Sequence, residues 1–291
     1  MNPFTKNYTI EEEETEIIKQ AQNGSESALD KLLRLHQPYV YYIAWKMVRN
    51  PTDAEDLTQE ALVKITINLS KFNFKSQFRT WAYRIVVNHF LNTKKQAHEH
   101  VFTSFESTAD RLNSVPDVEL NEEEKSEKEA LIKEMGLGCL SGMLLCLDRT
   151  QRLVYIIGHM FGADHNIGSE IMEMSKTNFR MKLSRARKDM HSFMSGQCGL
   201  MDESNPCRCH KKVTAAVNGG YIDAKNLLFN REEYSTFQKE IEKDDTDLRD
   251  FAADKFVELQ DGLSYKTDFD KKSFIKHILE DIKIRQIMNL N

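Results

Sequence analysis

Long apolar runs, a leader-like N-terminus and a cysteine framework are all missing from this 291-residue chain. No stretch approaches the roughly 20 apolar residues needed to cross a bilayer, so no membrane insertion is expected. The opening MNPFTKNYTI runs into a glutamate cluster, not into the basic-then-apolar pattern of a secretion signal. Five cysteines, an odd number, argue against a disulfide scaffold and for a reducing, cytoplasmic location. With only 5 prolines and 12 glycines, few turns are marked, and strand-like alternation is scarce. An all-α fold is therefore expected. The formal net charge of −5 excludes a uniformly basic nucleic-acid binder, but the charges are segregated along the chain, and local charge matters more.

Helical spacing organises what is present. Glu11 to Gln22 is helix-compatible, Asn23-Gly24 stops it, and Ser25 can cap the next helix. Leu29, Leu32, Leu33, Val40, Ile43, Ala44, Met47 and Val48 then recur at helical spacing, with Pro38 predicting a kink or restart. Thr52 and Glu55 form a capping-box pattern for a third helix, and Ser76 is the expected cap of a fourth, ending near Lys95. Residues 97–127 form a polar linker; from Glu106 to Glu134 ten acids meet four bases, the composition of a solvated tether or, as a functional alternative, of a DNA mimic. The expected organisation is two small helical domains, 10–96 and 128–195, then a Cys-containing loop and helical extension over 196–291.

Three patterns carry function. Two short helices joined through Glu173-Met174-Ser175 lead into a basic helix with Ser175 as its natural cap, a helix-turn-helix pattern. Phe179, Leu183, Ala186 and Met190 make one apolar face of that helix, and the cations lie off it. Lys176, Thr177, Asn178 and Arg180 are candidates for base or nearby backbone contacts; Arg185, Arg187 and Lys188, with Lys182, are candidates for phosphates. Next, Phe72, Phe74, Phe78, Trp81 and Tyr83 intermix with Lys71, Lys75, Arg79 and Arg84, and no acid occurs between Lys71 and Lys95. Rings that stack on bases beside cations that follow a backbone suit single-stranded DNA. Phe72, Phe74, Lys75, Phe78, Arg79, Arg84 and Asn88 are the candidates, although Phe78, Trp81, Ile85 and Val86 also read as core. Finally, Asp53, Glu55, Asp56, Gln59 and Glu60 crowd one helix start; the helix dipole favours acids there, and four of them suggest a face for a basic protein partner.

These patterns, in this order, resemble the extracytoplasmic-function class of sigma factors. ALDKLLRLHQPYVYYIAWKMVRNPTDAEDLTQEALVKI resembles the first half of sigma region 2, and KFNFKSQFRTWAYRIVVNHFLNTKKQ its promoter-melting, minus-ten part. LDRTQRLVYIIGHMFGADHNIGSEIMEMSKTNFRMKLSRARKDMHSFM is similar to region 4, which reads the minus-thirty-five element. The resemblance implies core RNA polymerase and promoter DNA as partners, admits an anti-sigma factor as a third, and implies no catalysis. It implies that the acidic helix contacts the polymerase. It covers about residues 10–95 and 135–195. One departure is Glu173, where the family often has glycine in the turn; Gly162 and Gly168 also lower helix propensity nearby, so either a less rigid region 4 or a divergent subgroup is expected.

Cys198, Cys207, Cys209 and His210, with His191 as a further candidate, raise zinc as a cofactor, against the simpler reading of reduced thiols in a loop. Redox sensing by Cys207 and Cys209 is a third option, while Cys139 and Cys146 read as core. Beyond residue 213, Phe251, Phe256, Leu259, Phe269, Phe274, Ile278, Ile282 and Ile287 provide apolar faces for helices that pack on the domains and regulate them. The competing reading of the whole is a stand-alone helix-turn-helix regulator of duplex DNA. A nucleic-acid enzyme is not expected, because paired carboxylates, a nucleophile motif and a phosphate loop are all missing.

Overall fold

A computed structural model of the chain describes residues 11–95, 97–100, 104–227 and 271–290. Its helices are α1 (Glu11–Gln22), α2 (Glu26–Val48), α3 (Pro51–Asn68), α4 (Phe78–Asn92), α5 (Phe105–Ser114), α6 (Glu122–Glu127), α7 (Glu129–Gly142), α8 (Arg149–Tyr155), α9 (His165–Ile171), α10 (Lys176–Gln197), α11 (Cys209–Asn218), α12 (Lys271–Glu280) and α13 (Ile282–Met288). Among the described residues there is no strand, and the fold is all-α; one isolated parallel bridge joins Cys198 and Cys207.

The chain divides into two compact units that do not follow the sequence in blocks. One draws on Met1–His98, Arg149–Leu183 and Asp268–Asn291, the other on Glu99–Asp148 and Ser184–Thr267. The expected boundaries at 97, 128 and 196 follow chain order, whereas the units follow packing.

In the first unit α2 packs on α1 and α3, and α4 closes on both α2 and α3. Ser25 caps α2 as expected, accepting from the Ala28 N–H at 3.3 Å. Pro38 neither stops nor restarts the helix, which runs unbroken from Glu26 to Val48. A helix-interior proline costs about 3 kcal/mol; burial of Leu29, Leu32 and Leu33 before it and of Val40, Ile43 and Ala44 after it offsets that. The α3 cap is Asn50, not Thr52: its Oδ1 accepts from the Asp53 N–H at 3.0 Å, with Pro51 opening the helix. Likewise α4 starts after Gln77, and Ser76 does not cap it.

Two arginines at the start of α8 tie it to this bundle. Arg149 donates to the carbonyls of Phe90 and Thr93 at the end of α4, and buried Arg152 donates to Met47 O at the end of α2. Terminal carbonyls have no partner within their own helix and carry the negative end of its dipole, so a guanidinium satisfies both needs. Fully buried Phe161 then packs against the rings of Tyr42 at 5.3 Å and Tyr83 at 6.2 Å.

Helices α12 and α13 also join this unit, α12 on α2 and α13 on α3. Arg285 pairs with Glu26 at 2.8 Å, and Gly24 (φ 90°) lies so near Asn289 that an added Cβ would sit 2.5 Å from its carbonyl oxygen. Ile275, Ile278, Leu279, Ile284 and Met288 are buried, but Ile282 and Ile287, expected on an apolar face, are exposed. Phe251, Phe256, Leu259 and Phe269 lie outside the described residues, as does the side chain of Phe274.

In the second unit the expected tether is built structure. Ser104 and Ser107 form a capping box for α5, and Asn121 and Glu124 another for α6. Leu120 is buried, Phe105 packs on Phe193 at 5.3 Å, and Thr108 Oγ1 lies 3.3 Å from Cys146 Sγ. Two of the acids are paired: Lys212 with Asp117 at 2.8 Å and Lys211 with Glu119, while the Val118 N–H donates to Lys211 O. Lys212 also donates to Val115 O. The Lys212 hydrogen bond holds the Asp117 carboxyl below its ordinary range. The charge balance of Glu106–Glu134 does not register this, because the neutralising lysines lie some ninety residues further on.

Candidate nucleic-acid interface

Helix α10 presents the cations as its periodicity requires. Phe179, Ala186 and Met190 are buried and Leu183 half-buried, while Lys176, Thr177, Arg180, Arg185, Arg187 and Lys188 are exposed and Asn178 and Lys182 partly so. Ser175 caps it, accepting from the Asn178 N–H at 3.2 Å. Phe179 seats against two glycines: a Cβ at Gly168 would overlap its ring, and one at Gly158 would come within 2.9 Å of that ring and of Leu183. Gly168 is thus a socket for α10, not the loss of rigidity its helix propensity predicts.

The aromatic-basic segment divides sharply. Phe72 and Phe78, expected to stack on bases, are 5% and 3% exposed and form a cluster with Trp81, ring centroids 5.3–5.4 Å apart. Arg79 is 7% exposed, so its guanidinium is withdrawn from any backbone it was expected to follow. Every third or fourth position of a helix shares a face, and the face bearing Phe78, Trp81 and Ala82 is covered by the rest of the bundle. Phe74 and Lys75 stay exposed. Gln22 pins the loop before them, donating from Nε2 to Leu69 O and Phe72 O at 2.8 Å each, and Phe74 itself adopts a left-handed conformation (φ 60°).

Arg84 and Asn88 are half-buried and already engaged. Asn88 Nδ2 donates to Glu173 Oε2 at 2.8 Å, and Arg84 Nε lies 3.8 Å from Glu173 Oε1. Glu173 sits at φ 49°, a conformation glycine adopts freely and other residues resist by about 1 kcal/mol. Its side chain supplies the reason for glutamate here, which the sequence registers only as a missing glycine. Glu173→Gly should therefore leave stability within about 1 kcal/mol of the parent, since released strain offsets an exposed pair worth about 0.5 kcal/mol. Glu173→Ala keeps the strain, loses the pair and should be the less stable of the two in urea denaturation.

The acidic face lies on α3. Asp53 and Glu55 are half-buried and Asp56, Gln59 and Glu60 exposed. Burial, and then the neighbouring Asp56 charge, raise the Glu55 carboxyl above its ordinary value. Glu60 Oε2 lies 3.2 Å from His89 Nε2, and Lys64 Nζ lies 2.9 Å from His89 Nδ1.

Of the candidate metal ligands in the second unit, Cys198, Cys207 and Cys209 line one small cavity, and His210 and His191 are not part of its lining. His210 lies among Lys125, Lys211 and Arg208, with burial and these charges lowering its pKa, and His191 Nε2 lies 3.5 Å from Ser195 Oγ. The cysteines behave otherwise. Burial and neighbouring sulfurs raise the thiols of Cys139 and Cys209 far up and that of Cys207 to about 11. Cys139, expected to be plain core, lines the same small cavity as Cys198, Cys207 and Cys209.

Residues 32–99 match the family model of sigma-70 region 2. The span runs from within α2 through α4, so this part of the fold is a sigma-70 region 2 domain. Among curated proteins, the chain is similar to the extracytoplasmic-function (ECF) RNA polymerase sigma factor SigW of Bacillus subtilis (32% identity, 24% of this chain and 38% of that protein). It is also similar to the RNA polymerase sigma-H factor of Pseudomonas aeruginosa (31%, 27% of this chain and 40% of that protein) and to the ECF sigma factor SigM of B. subtilis (23%, 60% of this chain and 99% of that protein). The match thus spans less than half the length of the first two. A solved structure of CnrH in complex with the cytosolic domain of CnrY is similar at 19% identity over 62% of this chain and 97% of that one, with a TM-score of 0.42. Residues 32–99 thus form a sigma-70 region 2 domain, and the chain is similar to extracytoplasmic-function sigma factors. Among the described residues no single helix is long and apolar enough to cross a membrane.

Proposed function

We propose that this chain is an RNA polymerase sigma factor that brings core polymerase to promoter DNA. The observation that carries the reading is α10: its apolar stripe is buried and its cations face solvent, the arrangement of a major-groove helix, on a chain whose residues 32–99 match sigma-70 region 2. In this reading Lys176, Thr177, Asn178 and Arg180 meet base edges or the nearby backbone of the minus-thirty-five element. Lys182, Arg185, Arg187 and Lys188 neutralise phosphates. Asp53, Glu55, Asp56, Gln59 and Glu60 face the polymerase. Phe74, Lys75, Arg84 and Asn88 hold the unpaired minus-ten strand, with Phe72, Phe78 and Arg79 supporting them from the core. No catalytic step is assigned to the chain.

The test is reconstitution of the purified chain with core polymerase and a promoter library, scored by transcripts with defined start sites. A stand-alone duplex reader is the second reading, favoured by the burial of Phe72, Phe78 and Arg79; duplex binding without transcripts would support it instead. Arg180→Ala is expected to weaken binding to the upstream element by about 1–3 kcal/mol if Arg180 makes a bidentate base contact. A gel-shift titration at fixed salt reads this, and unchanged binding removes Arg180 from the site.

A further inference from the structure

Four of the five cysteines converge in the second unit and serve nothing in the reading above. Cys139 comes from α7, Cys198 directly follows α10, Cys207 closes the next loop and Cys209 opens α11. All four line one small cavity, closed otherwise largely by carbon, including Leu112, Met135 and Phe193. Cys146 is not in the set; its sulfur lies against Thr108 Oγ1.

The backbone brings the set together by defined contacts. Cys198 and Cys207 face each other across a parallel bridge, with the Cys207 N–H donating to Gln197 O at 3.1 Å and the Gly199 N–H donating to Cys207 O at 2.9 Å. Gly199 is required there, since a Cβ would come within 2.7 Å of Cys207 O. The intervening loop is folded on itself: Asn205 Nδ2 donates to Ser195 O and Cys198 O at 3.0 and 2.9 Å, and Asp202 Oδ1 accepts from the N–H and hydroxyl of Ser204. Such a loop holds almost no apolar core of its own, yet its two ends are set with cysteines.

We propose that Cys139, Cys198, Cys207 and Cys209 bind one zinc ion as a tetrathiolate structural site that clamps α7, the end of α10 and α11 together. An all-sulfur donor set selects a soft, tetrahedral ion, and a structural zinc has four protein ligands and no open position. His210 does not line the cavity and is left out of the set. Among the described residues no three donor side chains enclose a metal-sized point, and binding of the ion requires the four thiols to turn toward the centre of the cavity they line. Cys139 is the decisive member: it lies about sixty residues from the next cysteine of the set and joins it only through folding. The site stands whether or not the chain directs transcription.

The experiment uses the reduced, full-length chain. Zinc titration should reach one ion per chain. Pulsed alkylation read by mass spectrometry should show zinc shielding Cys139, Cys198, Cys207 and Cys209 while Cys146 labels at an unchanged rate. Cys139→Ser should weaken zinc binding at least about tenfold, and His210→Ala should leave it unaltered. If Cys139→Ser does not fold, the shielding pattern of the parent chain decides. A folded, reduced chain that takes up no zinc overturns the proposal. So does zinc that leaves Cys139 open to alkylation, or binding lost in His210→Ala.

Discussion

Lowering the pH from 7 to 4.5 is expected to remove about 2.5 kcal/mol of stability through His89 alone. His89 is 4% exposed, held between Lys64 and Glu60 on the inner side of α4. Burial first, and then the Lys64 charge, lower its pKa from 6.5 to about 4. The folded chain therefore keeps the imidazole neutral where the unfolded chain takes up a proton. The stability that follows from this is complete above pH 6.5 and declines as pH falls through the window from 6.5 to about 4, below which both forms are protonated. At about 1.4 kcal/mol per pKa unit the full window is worth about 3.5 kcal/mol, most of which is lost by pH 4.5. His89→Gln cannot titrate but can still accept from Lys64, so it should flatten the curve of urea-derived stability against pH. Equal slopes for parent and variant between pH 7 and 4.5 would refute the assignment.

Gly168→Val should destabilise the first unit by about 3 kcal/mol, the upper end of ordinary overpacking. A glycine inside a helix is normally a weakness, and adding a side chain normally helps by about 0.5–1 kcal/mol. Here the sign reverses because Phe179, only 1% exposed, has its ring where the new atoms would go. The ring cannot swing into solvent without opening the contact that seats α10. In the proposed function the same substitution should weaken duplex binding without touching a DNA-facing residue. Combining Gly168→Val with Phe179→Leu should recover part of the lost stability, since the two share one space. A single variant as stable as the parent in urea denaturation would show that Phe179 is not seated there.

Much of this molecule was legible before any coordinates. Local rules acted at Ser25 and Ser175, whose hydroxyls cap the helices that follow them, and in α10, where apolar residues at positions 179, 186 and 190 are the buried ones. Such features depend on neighbours three or four residues away, and the sequence lists those neighbours in order. The caps of α3 and α4 were displaced by one or two residues because several adjacent residues can serve and the first turn chooses among them.

What sequence determined by itself is the periodic part: helices, their apolar stripes, the cationic side of α10 and the region-2 pattern of residues 32–99. Tertiary structure alone decided which cations and rings reach solvent. It withdrew Phe72, Phe78 and Arg79, left Phe74 and Lys75 exposed, paired Glu173 with Arg84 and Asn88, and turned an acidic stretch into the partner of Lys211 and Lys212. It also drew Cys139 to thiols far along the chain. The reason is that periodicity fixes which side chains share a face, whereas burial depends on what distant segment covers that face, and that choice is made only when the elements pack.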